Sequence, residues 1–423
     1  MTTHPVLYQG EPATVIRVCP NVVLAFVALL SLYFTVWFGS LAALMFLASG
    51  SILWLRSPTR ALNELFRFWP ILILPLWCLL TWFWSREPSA TMRYGIQLGF
   101  TCLVAVAIAS RLSPRNFLSL VFAIHALAAL LSLAMPSPFG DGEGWRGIFG
   151  SKNAFAFTMS NFILVCLALI LDRRSGYRGK VLAWVGLALG CFLLVMGQSA
   201  GALVTTILAA VLGLILAGMG RIPAGPRLVL LLSATLLTVA IGLVAWSFRT
   251  EIAAIFLGAT GKDMTLTGRT ELWSVAFDEI ARHPLLGQGY AAVWLPGNPV
   301  AEAMWAKFGI SGKSGFHFHN TWISNAVEIG VIGVAIEAAL FATALVLVWR
   351  WALRSPSAPS IFFTILMARM LALSAVEVVV YGAFSADTVF ALAALVYGLR
   401  FHREVGASGR GSGSLTPVRR SVP

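Results

Sequence analysis

Residues 320–349 read NTWISNAVEIGVIGVAIEAALFATALVLVW, a run of 30 residues with only two charged side chains, Glu328 and Glu337. At a rise of about 1.5 Å per residue, one helix of this length would reach about 45 Å. The hydrocarbon core of a bilayer is only about 30 Å thick. The run therefore predicts a transmembrane helix that tilts or projects outward and leaves His319 at the external rim.

The rest of the chain has the same character. It has 423 residues, of which 58% are hydrophobic and 11% charged, which is typical of a polytopic membrane protein. We predict an all-α integral membrane protein with about twelve transmembrane helices, the last two of them short and closely spaced. The predicted spans are Asn21–Phe38, Leu41–Leu55, Trp69–Trp84, Gly95–Ala109, Phe117–Met135, Ala154–Leu171, Val181–Met196, Gly201–Met219, Leu228–Phe248, Asn320–Trp349, Ile361–Tyr381 and Ala383–Leu399.

The distribution of Lys and Arg predicts the orientation. Basic residues collect in alternate short loops and near both ends, as they do in segments that stay in the cytoplasm. This divides the chain into spans 1–9 (residues 1–248), a long periplasmic loop (249–318), spans 10–12 (319–399) and a tail (400–423). The tail is rich in Gly, Ser and Arg, and we expect it to be a disordered cytoplasmic segment.

Several classes of function are disfavoured by composition. The net charge of +13 is spread over short loops and forms no single basic face, so nucleic acid is not an expected partner. Four of the five cysteines lie in apolar spans, and none indicates a disulfide or a CxxC metal site. Walker and HExxH motifs are absent from the sequence, and no cofactor is expected.

The predicted periplasmic loop carries three polar motifs, GRTELW at 268–273, HPLLGQGY at 283–290 and FHFHNTW at 316–322. Apolar residues at helical spacing predict an amphipathic helix that ends at His283–Pro284 and is capped by Thr267 or Thr270. Its apolar face comprises Leu272, Trp273, Ala276, Phe277 and Ile280, with Glu279 off that face.

Gly287 and Gly289 then allow a tight bend or a close backbone approach. His319 with Asn320 favours a functional rim site over a histidine that merely bonds a carbonyl, with His317 as a neighbour. Arg269 either serves the site or pairs locally with Glu271 or Asp278.

A second external loop, PSPFGDGEGWRGIFGSKN at 136–153, would let Arg146 and Lys152 fold over the mouth of the helix bundle. Asp141 and Glu143 leave a metal site open as an alternative, although Asp and Gly are ordinary residues of helix-breaking loops. Arg146 also admits a simpler interpretation as an interfacial arginine that reaches to headgroups.

Charged residues inside predicted spans are costly and are functional candidates by default. Glu328, Glu337, Arg369 and Glu377 are of this kind, and they keep an ion-coupled transporter open as an alternative. Arg369 and Glu377 fall on one predicted helix about 12 Å apart, so each would need another partner. We expect Glu377 to matter less than His319.

The motifs GWRGIFGSKN, GRTELW, HPLLGQGY and HNTWISNAVEIGVIG, in this order, resemble the O-antigen ligase and polysaccharide polymerase superfamily. The RGIFGSKN element is especially similar to the ExoQ-like exopolysaccharide polymerases. The resemblance covers residues 145–333 by motif and the whole chain by span count. It implies a bacterial inner-membrane enzyme whose active site faces the periplasm.

The resemblance further implies metal-independent, inverting transfer of a glycan from an undecaprenyl-diphosphate-linked donor to an acceptor hydroxyl. The acceptor is another lipid-linked glycan in a polymerase, which we favour, or lipid A-core in a ligase. Membrane lipids are the remaining partners. The family's two arginines and its histidine fall on Arg146, Arg269 and His319 as catalytic residues. The neighbouring Lys152, Asn153, Asn320, Gly287 and Gly289 are the candidates for substrate binding.

Overall fold

The computed structural model describes residues 19–137, 144–219, 268–313 and 316–411, together with residues 222 and 226, and their side chains as far as residue 405. Every regular element in these ranges is a helix. The first ten are α1 (Pro20–Tyr33), α2 (Thr35–Phe38), α3 (Ser40–Leu55), α4 (Pro58–Phe68), α5 (Ile73–Leu80), α6 (Pro88–Arg111), α7 (Pro114–Ala134), α8 (Lys152–Leu171), α9 (Tyr177–Met196) and α10 (Ala200–Met219). The others are α11 (Arg269–Arg282), α12 (Pro299–Phe308), α13 (Thr321–Arg354), α14 (Ala358–Ser374) and α15 (Ala386–Gly411).

The helices confirm an all-α, multi-pass membrane class. Seven of those described are long and apolar enough to cross a bilayer, with α4 to the 3₁₀ turn at Thr81–Phe83 counted as one span. Three shorter apolar helices, α1, α3 and α14, accompany them. The predicted span Leu228–Phe248 lies outside the described residues, so the total of twelve stays a prediction.

Helix α15 continues to Gly411, past Leu399, where the sequence predicts the end of the last span. A helix need not end where a membrane span ends, so the span boundary and the disordered cytoplasmic tail stay predictions. Residues 412–423 lie outside the described part of the chain.

Helix α8 is central to the bundle. It is the most buried of the candidate spans and contacts α7, α9, α10 and α14. Its buried side chains are mostly apolar, including Phe155, Met159 and Phe162. Because α8 is fixed on four sides, the residues at its first turn are held in a defined position.

Helix α13 is not the continuous rod that the 320–349 run predicts. Gly330 has φ 67° and ψ 178°, which interrupts the helix. On either side of this break, Asn325 Nδ2 donates to Glu337 Oε2 at 2.6 Å, although residues twelve apart on a straight helix are about 18 Å apart. The segment 321–329 therefore folds back on the segment that begins at Val331, and no outward projection is needed to accommodate the length.

Backbone contacts from the HPLLGQGY motif stabilise the break in α13 at Gly330. The carbonyls of Pro284 and Leu285 accept the N–H groups of Val331 and Ile332 at 3.0 and 3.3 Å. A Cβ atom on Gly330 would lie 2.2 Å from the Leu285 carbonyl oxygen, so only glycine fits. The close approach expected at Gly287 is also present, since a Cβ there would lie 2.4 Å from the Glu328 carbonyl oxygen.

The segment 268–313 holds two helices, α11 and α12, of which α12 was not predicted. Helix α11 ends at Arg282 before His283–Pro284, as expected. Its N-cap, however, is Gly268 with φ 90°, and not Thr270; Thr267 lies outside the described residues. Gly268 replaces a threonine cap because the left-handed conformation excludes most other residues.

The buried face of α11 also differs by two residues. Leu272 and Ala276 are buried as predicted, whereas Phe277 is 55% exposed. Glu279, predicted off that face, is 3% exposed and bonds to Arg282 and Gln288. A buried carboxylate satisfied by two donors can replace an apolar side chain in such an interface.

Candidate functional site

The carboxylate of Glu377 is the centre of a cluster of polar side chains. Its Oε1 accepts from Asn153 Nδ2 at 3.2 Å and lies 3.4 Å from Arg269 Nη2. Its Oε2 lies 3.2 Å from His319 Nδ1 and 3.7 Å from His317 Nε2. One carboxylate thus joins residues from α8, α11 and the segment before α13.

The observed position of Glu377 differs from the one predicted from the sequence. Helix α14 ends at Ser374, so Glu377 lies beyond the helix that carries Arg369 and not within it. The prediction of one helical span over Ile361–Tyr381 was wrong here, because the residues after Ser374 remain largely apolar while the backbone turns. Val380, Tyr381 and Phe384 all have positive φ, which marks a turn that the neighbouring structure imposes.

Thr321, the first residue of α13, and Asn320, its N-cap, hold this turn in place. Thr321 Oγ1 donates to the Glu377 carbonyl at 2.9 Å and accepts from Val379 N at 3.0 Å. Asn320 caps the helix by accepting from Ile323 N, and its Nδ2 donates to the Ala375 carbonyl at 3.0 Å. The Asn320 side chain therefore places the turn against His319.

His319 is held in an uncommon backbone conformation, with φ 50°. Its N–H donates to His317 Nδ1 at 3.0 Å, and its own Nδ1 faces Glu377. Because a carboxylate only accepts hydrogen bonds, the His319 ring carries its proton on Nδ1 in this arrangement. The lone pair of Nε2 is then free to act as a base.

Arg269 reaches the cluster from the first turn of α11. Trp273, one turn later on the same face, donates from Nε1 to the Phe318 carbonyl at 2.8 Å and so fixes α11 against the FHFHN segment. Arg269 has five N–H donors, and Glu377 faces only one nitrogen of its guanidinium group. The remaining donors suit an anionic group.

Asn153 joins the cluster from the first turn of α8. Its Nδ2 donates to Glu377, and its Oδ1 accepts from Ser199 Oγ at 3.1 Å. Ser151 caps the same helix through Ala154 N. Lys152 precedes Asn153 as the first residue of the helix.

Arg146 is not joined to the cluster. The loop that carries it packs between helix ends, with the Arg146 N–H bonded to the Pro136 carbonyl at 3.1 Å. The guanidinium group is half-buried and forms no hydrogen bond or ion pair with any residue in the described ranges. Asp141 and Glu143, the candidate metal ligands of this loop, lie outside those ranges.

The remaining candidates lie elsewhere. Gly287 and Gly289 face the carbonyl of Glu328 and the side chain of Ser85, respectively, at the far end of the 321–329 segment. Glu328 Oε2 accepts from Ala291 N at 2.9 Å. Arg369 donates from Nη1 to Asn161 Oδ1 at 3.0 Å inside the bundle. These contacts connect structural elements and do not reach His319.

His317 belongs to the cluster rather than to its surroundings, which the sequence did not show. Its ring centroid lies 4.2 Å from that of His319. Burial is the main reason that the pKa of His317 falls to about 4; His319 and Arg269 also lower it, and Glu377 raises it. His317 is therefore neutral near pH 7, and because its Nδ1 is an acceptor, its proton sits on Nε2, facing Glu377.

Residues 185–338 match the family model described as O-antigen ligase, a range that includes Arg269, His317 and His319. The chain is 34% identical over 286 residues to the exopolysaccharide production protein ExoQ of Rhizobium meliloti (strain 1021). The predicted resemblance is confirmed. The alignment covers 65% of this chain and spans 63% of the length of that relative.

A solved structure is also similar, that of a study titled "Structural coordination of polymerization and crosslinking by a peptidoglycan synthase complex". It shares 14% identity and a TM-score of 0.41, covering 79% of this chain and 96% of the other. A likeness at this level indicates nothing about activity.

Two members of the cluster, Glu377 and His317, were named from the sequence but were not placed in the site. Glu377 was considered only as a charge inside a span, although such charges are functional by default. Nothing in its local sequence, VEVVV, indicates that the helix ends before it. The spacing of the HFH sequence does not by itself show that His317 joins the cluster. That would require knowing that Phe318, between the two histidines, is buried, as the structure shows.

Proposed function

We propose that this protein is a membrane glycosyltransferase of the O-antigen ligase and polymerase type. In this proposal it transfers a glycan from an undecaprenyl-diphosphate-linked donor to an acceptor hydroxyl. The observation that supports it best is the Glu377 carboxylate, which holds a histidine base on one oxygen and an arginine on the other. The family match over residues 185–338 supports the same class of reaction.

The chemistry follows from the two halves of the cluster. His319 Nε2 takes the proton of the acceptor hydroxyl, whose oxygen attacks the anomeric carbon as the bond to the diphosphate breaks. Glu377 stabilises the imidazolium that forms on His319, as a carboxylate does in hydrolase triads. Arg269 lessens the negative charge that develops on the departing undecaprenyl diphosphate. A single displacement of this kind inverts the anomeric configuration.

Arg146 and Lys152 complete the proposal as residues that contact the diphosphate from the opposite loop. Arg146 is suited to this role because its guanidinium group is half-buried and has no partner in the described ranges. An arginine in such a position can bind phosphate oxygens in a bidentate manner. Asn153, bonded to Glu377, would fix the position of that loop relative to His319.

A cation is the main competing occupant of this cluster. One nitrogen each of His317 and His319 and one oxygen of Glu377 lie within 4.8 Å of one another, as ligands of a metal ion do. Both nitrogens carry protons in the hydrogen-bond network, however, and His317 could ligate through Nε2 only by losing its bond from the His319 N–H. Arg269 adds a positive charge 3.4 Å from the same carboxylate. We therefore infer a metal-independent reaction.

Transfer by purified protein should accordingly survive treatment with EDTA. Turnover would be measured before and after chelation, and again after Mg²⁺ or Mn²⁺ is returned in excess. Unchanged rates are expected, since no step needs a Lewis acid. A complete loss on chelation with recovery on metal return would contradict the inference and point to the Glu377 cluster, or to Asp141 and Glu143, as ligands.

The orientation of the site is a further part of the proposal. A donor assembled on the inner leaflet and used for envelope polysaccharide would be consumed at the periplasmic face. A reporter that is active only in the cytoplasm should therefore be active when fused after Gly179 and inactive when fused after Gly312. The opposite pattern would place the Glu377 cluster in the cytoplasm and would exclude this mechanism.

We favour a polymerase over a ligase because the curated relative is named an exopolysaccharide production protein. The family description, O-antigen ligase, keeps the ligase as the second candidate. Purified protein supplied with a lipid-linked oligosaccharide, with and without lipid A-core, separates the two. Longer lipid-linked products without lipid A-core indicate a polymerase, and products on lipid A-core alone indicate a ligase.

A further inference from the structure

We propose that His317 is a positioning residue for His319, acting through the hydrogen bond that its Nδ1 accepts from the His319 backbone N–H. This inference rests on the proposed function for its kinetic consequences. The hydrogen bond itself is 3.0 Å long and belongs to the described structure whatever reaction the protein catalyses.

The backbone of His319 needs such a support. Its φ of 50° lies in the left-handed region, which residues with a side chain adopt only when their surroundings stabilise it. The following residue, Asn320, already begins the cap of α13 and bonds the Ala375 carbonyl. The bond to His317 fixes the remaining side of His319 and thereby sets the direction of its imidazole ring.

The other nitrogen of His317 faces Glu377, but less closely. Nε2 lies 3.7 Å from Glu377 Oε2, which is beyond hydrogen-bond range, whereas His319 Nδ1 lies 3.2 Å from the same oxygen. The two rings are in contact, with centroids 4.2 Å apart. A positive charge on His317 would therefore oppose the charge that His319 acquires when it takes a proton.

The groups that face His317 are His319, Arg269 and Glu377. Burial, with help from the first two, lowers the pKa of His317 to about 4, so His317 stays neutral over the range in which a histidine base works. His317 should then position His319 without adding a second ionisation to the pH–rate profile. The acid limb of a pH–rate profile should belong to groups other than His317.

Two substitutions distinguish the role of Nδ1 of His317 from the role of its Nε2. Asn places its Oδ1 near the position of Nδ1, so His317→Asn retains an acceptor for the His319 N–H and loses Nε2. Gln places its amide near Nε2, so His317→Gln keeps a group facing Glu377 and loses the acceptor. His317→Ala removes both.

We expect His317→Asn to keep kcat within about threefold of wild type, and His317→Gln and His317→Ala to lose about tenfold. KM should change little in all three, and the acid limb of the pH profile of His317→Asn should not move. Equal losses in Asn and Gln variants, a shifted acid limb, or wild-type kcat in the Ala variant would each overturn the proposal.

Amide hydrogen exchange tests the same bond without reference to catalysis. Exchange at His319 should be slow in wild type and in His317→Asn, and faster in the Gln and Ala variants, while exchange in α14 stays constant as a control for folding. Wild-type protein that releases no undecaprenyl diphosphate would refute the proposed function and leave this result standing. Equal exchange in all four proteins would refute the inference about His317 alone.

Discussion

His319→Ala is expected to lower kcat by about 10²-fold or more while the protein still reaches the membrane and remains folded. The side chain is the only imidazole of the cluster with a free Nε2 lone pair, because His317 uses Nδ1 as an acceptor and carries its proton on Nε2. Turnover would be followed as the release of undecaprenyl diphosphate from a lipid-linked glycan. His283→Ala is the matched control, since His283 is exposed and lies in the same segment between α10 and α13.

Glu377→Gln should approach the same loss, which revises the expectation from the sequence that Glu377 matters less than His319. Gln keeps the size of the side chain but cannot stabilise an imidazolium, and its amide can donate where Asn153, Arg269 and His319 already donate. Wild-type turnover in either variant would show that the pair formed by His319 and Glu377 does not take part in the reaction. Glu377-dependent uptake of solute by vesicles, without glycan transfer, would favour the transporter instead.

Arg269→Lys and Arg146→Lys should each lose about 10²-fold despite keeping the positive charge. Lysine presents a point charge and cannot bind two phosphate oxygens with parallel N–H groups as arginine does. The loss should be in kcat, because the charge on the diphosphate develops as the glycosidic bond breaks.

Arg282→Lys provides the control for Arg269, because it lies at the other end of α11 and is 63% exposed. Wild-type turnover in Arg269→Lys would mean that the contact between Arg269 and Glu377 is only a structural ion pair. Wild-type turnover in Arg146→Lys would instead leave Arg146 as an interfacial arginine, and the two results are independent.

The membrane class and the amphipathic helix α11 were predictable from sequence because both depend on local periodicity and length. Apolar runs of about 20 residues identify spans without knowledge of their neighbours, and the spacing of Leu272 and Ala276 identifies a buried helix face. Arg269 and His319 were selected because the family resemblance falls on them, and Asn153 was selected as a neighbouring residue; Glu377 connects all three.

The break in α13 was not predictable because it depends on a second segment. Glycine at position 330 is compatible with a continuous transmembrane helix, and only the carbonyls of Pro284 and Leu285 reveal that it must be glycine. The same holds for Glu377, whose turn is fixed by Thr321 and Asn320 from a different helix. Apolar composition continues across both breaks, so hydropathy assigns helix where tertiary contacts impose a turn.

The most direct test of the central claim is a transfer assay with purified protein and a single lipid-linked oligosaccharide as both donor and acceptor. Longer lipid-linked glycans should appear together with free undecaprenyl diphosphate, and both should be lost in His319→Ala and kept in His283→Ala. Absence of both products from folded wild-type protein, with and without lipid A-core, would contradict the assignment of glycosyl transfer to the Glu377 cluster.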